Sequence, residues 1–168
     1  VALIARAVGA GDSRLADATL RQGIVLGTIF GVATHLLVLP FLELAIGIYG
    51  VERSVVEYGS RYLFWLLAGN VPFTLTFVFG SALRAAGDSR TPLYVGVVAN
   101  ALNIFLNWVL IFGNLGMPAL GLTGAGIATA LTRVLTSIAL VLLVRRLGLL
   151  PERWGPFDRV AWQPAGLR

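Results

Sequence analysis

From Thr91 to Thr132 the chain carries no charged side chain, yet Asn100, Asn103 and Asn107 fall at helical spacing inside that stretch. At about 1.5 Å of rise per residue, one helix of that length would extend roughly 63 Å, twice the ~30 Å hydrocarbon core of a bilayer, so the chain must cross and return. The reversal is written at Gly113-Asn114-Leu115-Gly116-Met117-Pro118. Glycine loses the most entropy on ordering and proline lacks an N–H and disfavours helix before it, so both helices end there. The expected spans are 91–112 and 120–144.

Two more charge-free runs are long enough to cross: 22–42, between Arg21 and Glu43, and 62–83, between Arg61 and Arg84. Apolar residues are continuous in all four and do not alternate, which specifies helices and excludes a lipid-facing β-barrel. A water-soluble bundle is excluded as well, because its helices would each need a polar face. Charged residues make up 12% of the chain and the mean hydropathy is +0.84, whereas a soluble domain has about 25% charged residues. The expected fold is all-α and integral to the membrane, with four complete transmembrane helices spread over residues 22–147.

All the basic residues other than His35 are Arg, and their distribution sets an orientation. Arg6, Arg14, Arg21, Arg84, Arg90, Arg145, Arg146, Arg153, Arg159 and Arg168 fall on one side, against Arg53 and Arg61 on the other. The positive-inside rule makes the first side cytoplasmic, so both ends of the chain are expected in the cytoplasm, as in a multi-pass protein of the cell's inner, or plasma, membrane. The net charge of +5 follows from that topology and from anionic headgroups, and needs no nucleic acid. The first 21 residues read as the end of a preceding helix followed by a cytoplasmic loop, not as a signal peptide. Residues 148–168, with Trp154 and Trp162, read as a linker at the headgroup layer. The sequence has no cysteine, which removes disulfides and thiolate metal sites from consideration.

Chemistry inside the membrane has to come from the polar residues of the spans. Asn100, Asn103 and Asn107 sit at i, i+3 and i+7 on one helix face, and each amide must meet protein or water, since an unpaired one in hydrocarbon costs several kcal/mol. They serve either as interhelical glue or as the lining of a cavity. Thr129, Thr132, Arg133 and Thr136 repeat the pattern on the next helix. Arg133 falls near the middle of its span, where insertion scales put its cost at ~2.5–3.5 kcal/mol, so it must reach a carboxylate, a carbonyl or water. The expectation is that Asn100, Asn103 and Asn107 and the Thr129/Arg133 face line one polar cavity. His35 reads more simply as a hydrogen-bonded packing residue than as a proton relay. Gly23, Gly27 and Gly31 form a face for close helix approach, as Gly124-Ala125-Gly126 does on the last span. Pro72, deep in its run after Asn70, is expected to kink that helix and act as a hinge.

Three segments in order then resemble one family. Leu83-Arg-Ala-Ala-Gly-Asp-Ser-Arg-Thr-Pro92, Asn103-Ile-Phe-Leu-Asn107 and Gly121-Leu-Thr-Gly-Ala-Gly-Ile-Ala-Thr129 resemble the amino-terminal lobe of MATE transporters, the multidrug and toxic compound extrusion family. Ala5-Arg-Ala-Val-Gly-Ala-Gly-Asp12 is similar to the loop after the family's second helix. The resemblance covers nearly the whole chain and makes its four spans helices three to six of a six-helix lobe, half of a twelve-helix, two-lobe transporter. Earlier helices and a second lobe of the same polypeptide would then be partners of this segment, and 148–168 would be the interlobe linker.

The resemblance implies an antiporter that works by alternating access, expelling amphipathic or cationic small molecules in exchange for Na+ or H+, with no other cofactor. Asn103 matches the family's ion-site Asn on helix five, and Thr129 the Thr on helix six. Asn107 stands where family members with an ion site in this lobe carry an acid, so coupling would rest on a carboxylate elsewhere. Two other readings remain open: a lipid-linked saccharide flippase of the same broad superfamily, in which Arg133 would meet a pyrophosphate, and a membrane scaffold without transport. An enzyme is not expected, since the spans hold neither paired carboxylates, nor an HExxH motif, nor a Ser with a nearby base.

Overall fold

The computed structural model describes residues 6, 10 and 12–147. The readings of the first residues as the end of a helix and of 148–168 as a linker lie outside the described residues. Among the described residues six α-helices follow one another: α1 (Ser13–Val38), α2 (Leu42–Gly47), α3 (Arg53–Ala68), α4 (Asn70–Ala85), α5 (Arg90–Phe112) and α6 (Gly121–Arg146). A 3-10 turn over Leu39–Phe41 joins α1 to α2, and Gly69 alone separates α3 from α4. The result is four spans by length and composition, Leu15–Gly47, Arg53–Ala85, Arg90–Phe112 and Gly121–Arg146.

The first two helical stretches outrun the charge-free windows of 22–42 and 62–83. Arg21, Glu43, Glu57 and Arg61 are all helical. A charge marks where the chain leaves hydrocarbon, but a helix needs only its own backbone bonds and continues into the interface. Glu57 and Arg61, one turn apart on exposed surface, form an ion pair at 2.6 Å. The helix breaks at Gly69, three residues before Pro72, which falls in the first turn of α4 and, having no N–H, leaves the Ala68 carbonyl without its i+4 donor.

α6 is the centre of the bundle, with α3, α4 and α5 packed around it and α1 laid against α4. Its side chains are sorted by size in the way a membrane demands. Gly124, Gly126, Ala128, Ala130, Thr132 and Ser137 are buried, while Leu122, Leu131, Leu135, Ile138 and Leu142 are exposed. Lipid tails already satisfy large apolar groups, so helices associate through small residues that bring backbones together. At Gly126 an added Cβ would stand 3.0 Å from the Tyr62 carbonyl oxygen and 3.0 Å from Trp65 Cβ on α3. At Gly124 it would collide with the Leu110 carbonyl on α5.

The α1/α4 seam is built on the same principle. Gly23 and Gly27 face Val78, and a Cβ at Gly31 would lie 2.9 Å from Val71 Cα. Thr74 Oγ1 donates to the Gly27 carbonyl at 2.9 Å across this seam. Larger apolar residues close the bundle near one end, where Phe79 and Leu83 of α4 meet Leu140 and Val144 of α6, and toward the other end Val109 and Leu110 of α5 are buried against Ala128 of α6.

The segment 83–92 that carried the family resemblance turns out to be a corner that ends one helix and caps the next. The N–H of Gly87 bonds the Arg84 carbonyl at 3.1 Å and that of Asp88 bonds the Leu83 carbonyl at 3.0 Å. Together with Gly87 at φ +89° this is a Schellman ending, which calls for glycine in the left-handed region. The Asp88 carboxylate then accepts from the N–H groups of Arg90 at 3.1 Å and Thr91 at 2.9 Å, capping α5. Leu83 is fully buried and pins the corner to the core. The other reversal is tied by the Leu120 N–H to the Leu110 carbonyl at 2.9 Å, with Gly113 at φ +74°.

Candidate functional site

Midway along α5 and α6, three of the intramembrane polar residues are linked in a row. Asn107 Nδ2 donates to Asn103 one turn below, to its backbone oxygen at 2.9 Å and its Oδ1 at 3.0 Å. Asn103 Nδ2 reaches Thr132 Oγ1 on α6 at 3.4 Å. The Thr132 hydroxyl, buried, donates onward to the Ala128 carbonyl at 2.8 Å. The spacing of three and four residues is what places the two amides above one another. The buried small-residue face of α6 is what lets Thr132 approach. The amide oxygen of Asn107 is an acceptor that these bonds do not use.

The other residues singled out from the sequence take different places. Asn100 is exposed and donates to the Gly96 carbonyl of its own helix at 3.1 Å. Thr129 is half-buried and bonds the Ala125 carbonyl at 2.9 Å, and Thr136 bonds that of Thr132 at 2.7 Å. Arg133 follows Thr132 by one residue, about 100° around the helix, and so looks toward α3 and α4. Its Nη1 donates to the Leu66 carbonyl at 2.8 Å, and its guanidinium carbon lies 4.4 Å from the centroid of the Phe73 ring. Of the three kinds of partner open to it, the structure supplies a carbonyl. His35 meets Phe64 edge-on, ring centroids 6.3 Å apart.

Thr132, Leu66, Gly69 and Phe73 were not among the site candidates read from the sequence. Thr132 lay in the threonine stripe. The other three could be found only by knowing that α3 and α4 pass beside the middle of α6. A cleft of about 1150 Å³ opens at the opposite end from Asp88, bordered by Glu43, Arg53, Glu57, Arg61, Trp65 and Thr123. Among the described residues no group of three His, Asp or Glu stands close enough to hold a metal ion.

An all-helical, multi-pass membrane protein with large apolar side chains outward and a short polar row inside is the class these features define. The chain belongs to the MatE family, whose profile matches residues 1–109, and that family is one of transporters, not enzymes. It is 34% identical over 159 residues to the probable multidrug resistance protein NorM of Thermotoga maritima, covering 90% of this chain and 34% of that protein. With the probable multidrug resistance protein YoeA of Bacillus subtilis the identity is 32% over 149 residues, or 86% of this chain and 31% of the other. Among solved structures, a MATE protein crystallised with MaL6 superposes with a TM-score of 0.82 at 29% identity, over 93% of this chain and 34% of that one. A MOP superfamily transporter from Pyrococcus furiosus gives 0.81 at 28%, over 94% and 35%. The chain thus spans about a third of the length of the curated relatives it matches.

Proposed function

We propose that this chain is part of the amino-terminal lobe of a cation-coupled exporter that moves amphipathic or cationic compounds across the cell's inner membrane by alternating access. In this reading both ends of the segment are cytoplasmic, and further helices and a second lobe complete the transporter. The single observation that carries it is the row Asn107, Asn103, Thr132 at mid-depth between α5 and α6, with Asn100 and Thr129 on the same two helices. Such a row leaves the amide oxygen of Asn107 to a cation without carrying a charge of its own. Asn cannot release a proton, so the exchanged charge would be balanced by a carboxylate outside these spans. The relatives' names, which speak of multidrug resistance, support the same cargo.

The flippase alternative rested on Arg133 as a partner for pyrophosphate. Its bond to Leu66 and its place over Phe73 give the guanidinium partners within this chain, so that no pyrophosphate is needed to account for it, which favours the drug exporter. A scaffold would leave the asparagine row as glue alone.

The test is ethidium efflux by the full-length parent in everted membrane vesicles, driven in turn by a proton and a sodium gradient, with Asn103→Ala alongside. Gradient-driven efflux that Asn103→Ala weakens is the expected result. Absence of efflux under either gradient, from protein shown to be folded, would shift the assignment to the lipid-linked flippase.

A further inference from the structure

Arg133 and the break at Gly69 lie at the same depth, and each relieves the other's main penalty. A charge in the middle of a span is expensive, and so is a broken span, whose freed carbonyls find no water in hydrocarbon. Leu66 is in the last turn of α3, where unsatisfied carbonyls and the negative end of the helix dipole gather. There Arg133 Nη1 donates to its oxygen at 2.8 Å. Phe73, just past the break on α4, lies beneath the same guanidinium, in the arrangement of a cation over an aromatic face. Gly69 makes the approach possible, since a Cβ there would stand 3.1 Å from Ala130 Cα and 3.1 Å from Arg133 Cδ. One side chain of α6 therefore grips the backbone on one side of the break and a ring on the other.

The two sides are otherwise fastened to different neighbours. α3 is held by Tyr62 and Trp65 against Gly126, near the start of α6. α4 is held to α1 through Val71, Thr74 and Val78, and to the far end of α6 through Phe79 and Leu83. Contact between α3 and α4 beyond the break is slight. The second span is thus two packed halves meeting at a joint, and joints of this kind, with glycine at the pivot and a proline nearby, are where helices bend.

We propose that Arg133 is a positioning residue, a clasp that holds the discontinuous second span in one bend, and that releasing it lets the α3 half and the α4 half take up a second relative orientation. The clasp stands on geometry alone and holds whether the cargo is a drug or a lipid.

The experiment is double electron–electron resonance on the full-length parent in nanodiscs, with spin labels at Tyr58→Cys on α3 and Phe77→Cys on α4. Both positions are exposed, and this chain brings no cysteine of its own. One distance is expected with Arg133 in place. Arg133→Met is expected to add a second distance population, and Arg133→Lys, which keeps the cation, to remove most of it. Amide exchange over residues 66–73 should accelerate about tenfold in Arg133→Met, as loss of a charged hydrogen bond requires. A residue that only braces the fold would lower thermal stability and leave a single distance, and that result in Arg133→Met overturns the clasp. Should Arg133→Met fail to fold, Phe73→Leu removes the ring face while keeping apolar volume. A second population there supports the proposal, and an unchanged single distance overturns it.

Discussion

Asp88 shows how much one side chain decides at a corner. Hydrogen bonds from the Thr91 side chain and backbone, helped by the backbone and charge of Arg90, hold its carboxyl below the ordinary carboxylate value of 3.8. A carboxyl whose folded pKa is depressed stabilises the fold above its unfolded value, and that contribution disappears as the pH falls through the folded one. Thermal scans of the full-length parent in detergent should therefore show Asp88→Ala less stable than wild type by a constant margin from about pH 5 to about pH 8. The margin should close only in strong acid. Asp88→Asn, which keeps an acceptor oxygen for the cap, should lie between the two. The same residue explains why the LRxxGD segment could be recognised from sequence but not interpreted there. Its Leu, Gly and Asp are a core anchor, a left-handed helix ending and a cap, three architectural tasks with no substrate in them.

At the scale of helices, the small residues fall into two groups by what a methyl group would strike. Gly31 and Gly124 face backbone atoms of α4 and α5, which have no room to yield. Gly96 on α5 has nothing within 4 Å of where its Cβ would be. Gly31→Ala and Gly124→Ala are expected to cost about 1 to 3 kcal/mol each, the usual range for overpacking, with Gly124→Ala the worse. Gly96→Ala should be neutral or slightly stabilising, as alanine is the better helix former. Unfolding midpoints in mixed micelles would settle the order, and a Gly124→Ala protein as stable as wild type would contradict the α5/α6 packing described. The stripe Gly23, Gly27, Gly31 was visible in the sequence as a surface for close approach. That its partner is α4 was not visible, because a small-residue face states a distance and never names a neighbour.

For the molecule as a whole, the distribution of arginine makes a claim about sidedness that labelling can check. Val51, between α2 and α3, and Ser89, at the start of α5, are both exposed and lie at opposite ends of the bundle. With Ser89→Cys in the parent, a membrane-impermeant maleimide should react in everted vesicles and not in intact spheroplasts, and with Val51→Cys the pattern should reverse. Reaction of both from one side would remove the proposed topology. The depth of the polar row and of Arg133 follows from the same arrangement, since both lie midway between these ends.

The number of membrane crossings among the described residues was legible in the chain because hydrocarbon penalises every charge and every unpaired backbone group locally, residue by residue, without regard to what packs where. The periodicity of the asparagines and threonines was legible for an equally local reason, the 3.6-residue turn. Which polar groups meet depends instead on the rotation of each helix about its axis and on which helices lie together. Those follow from the fit of glycine faces against α3, α4 and α5, which no single segment encodes. That is why Thr132 completes the asparagine row while Arg133, its neighbour in sequence, turns away to a broken helix 67 residues earlier.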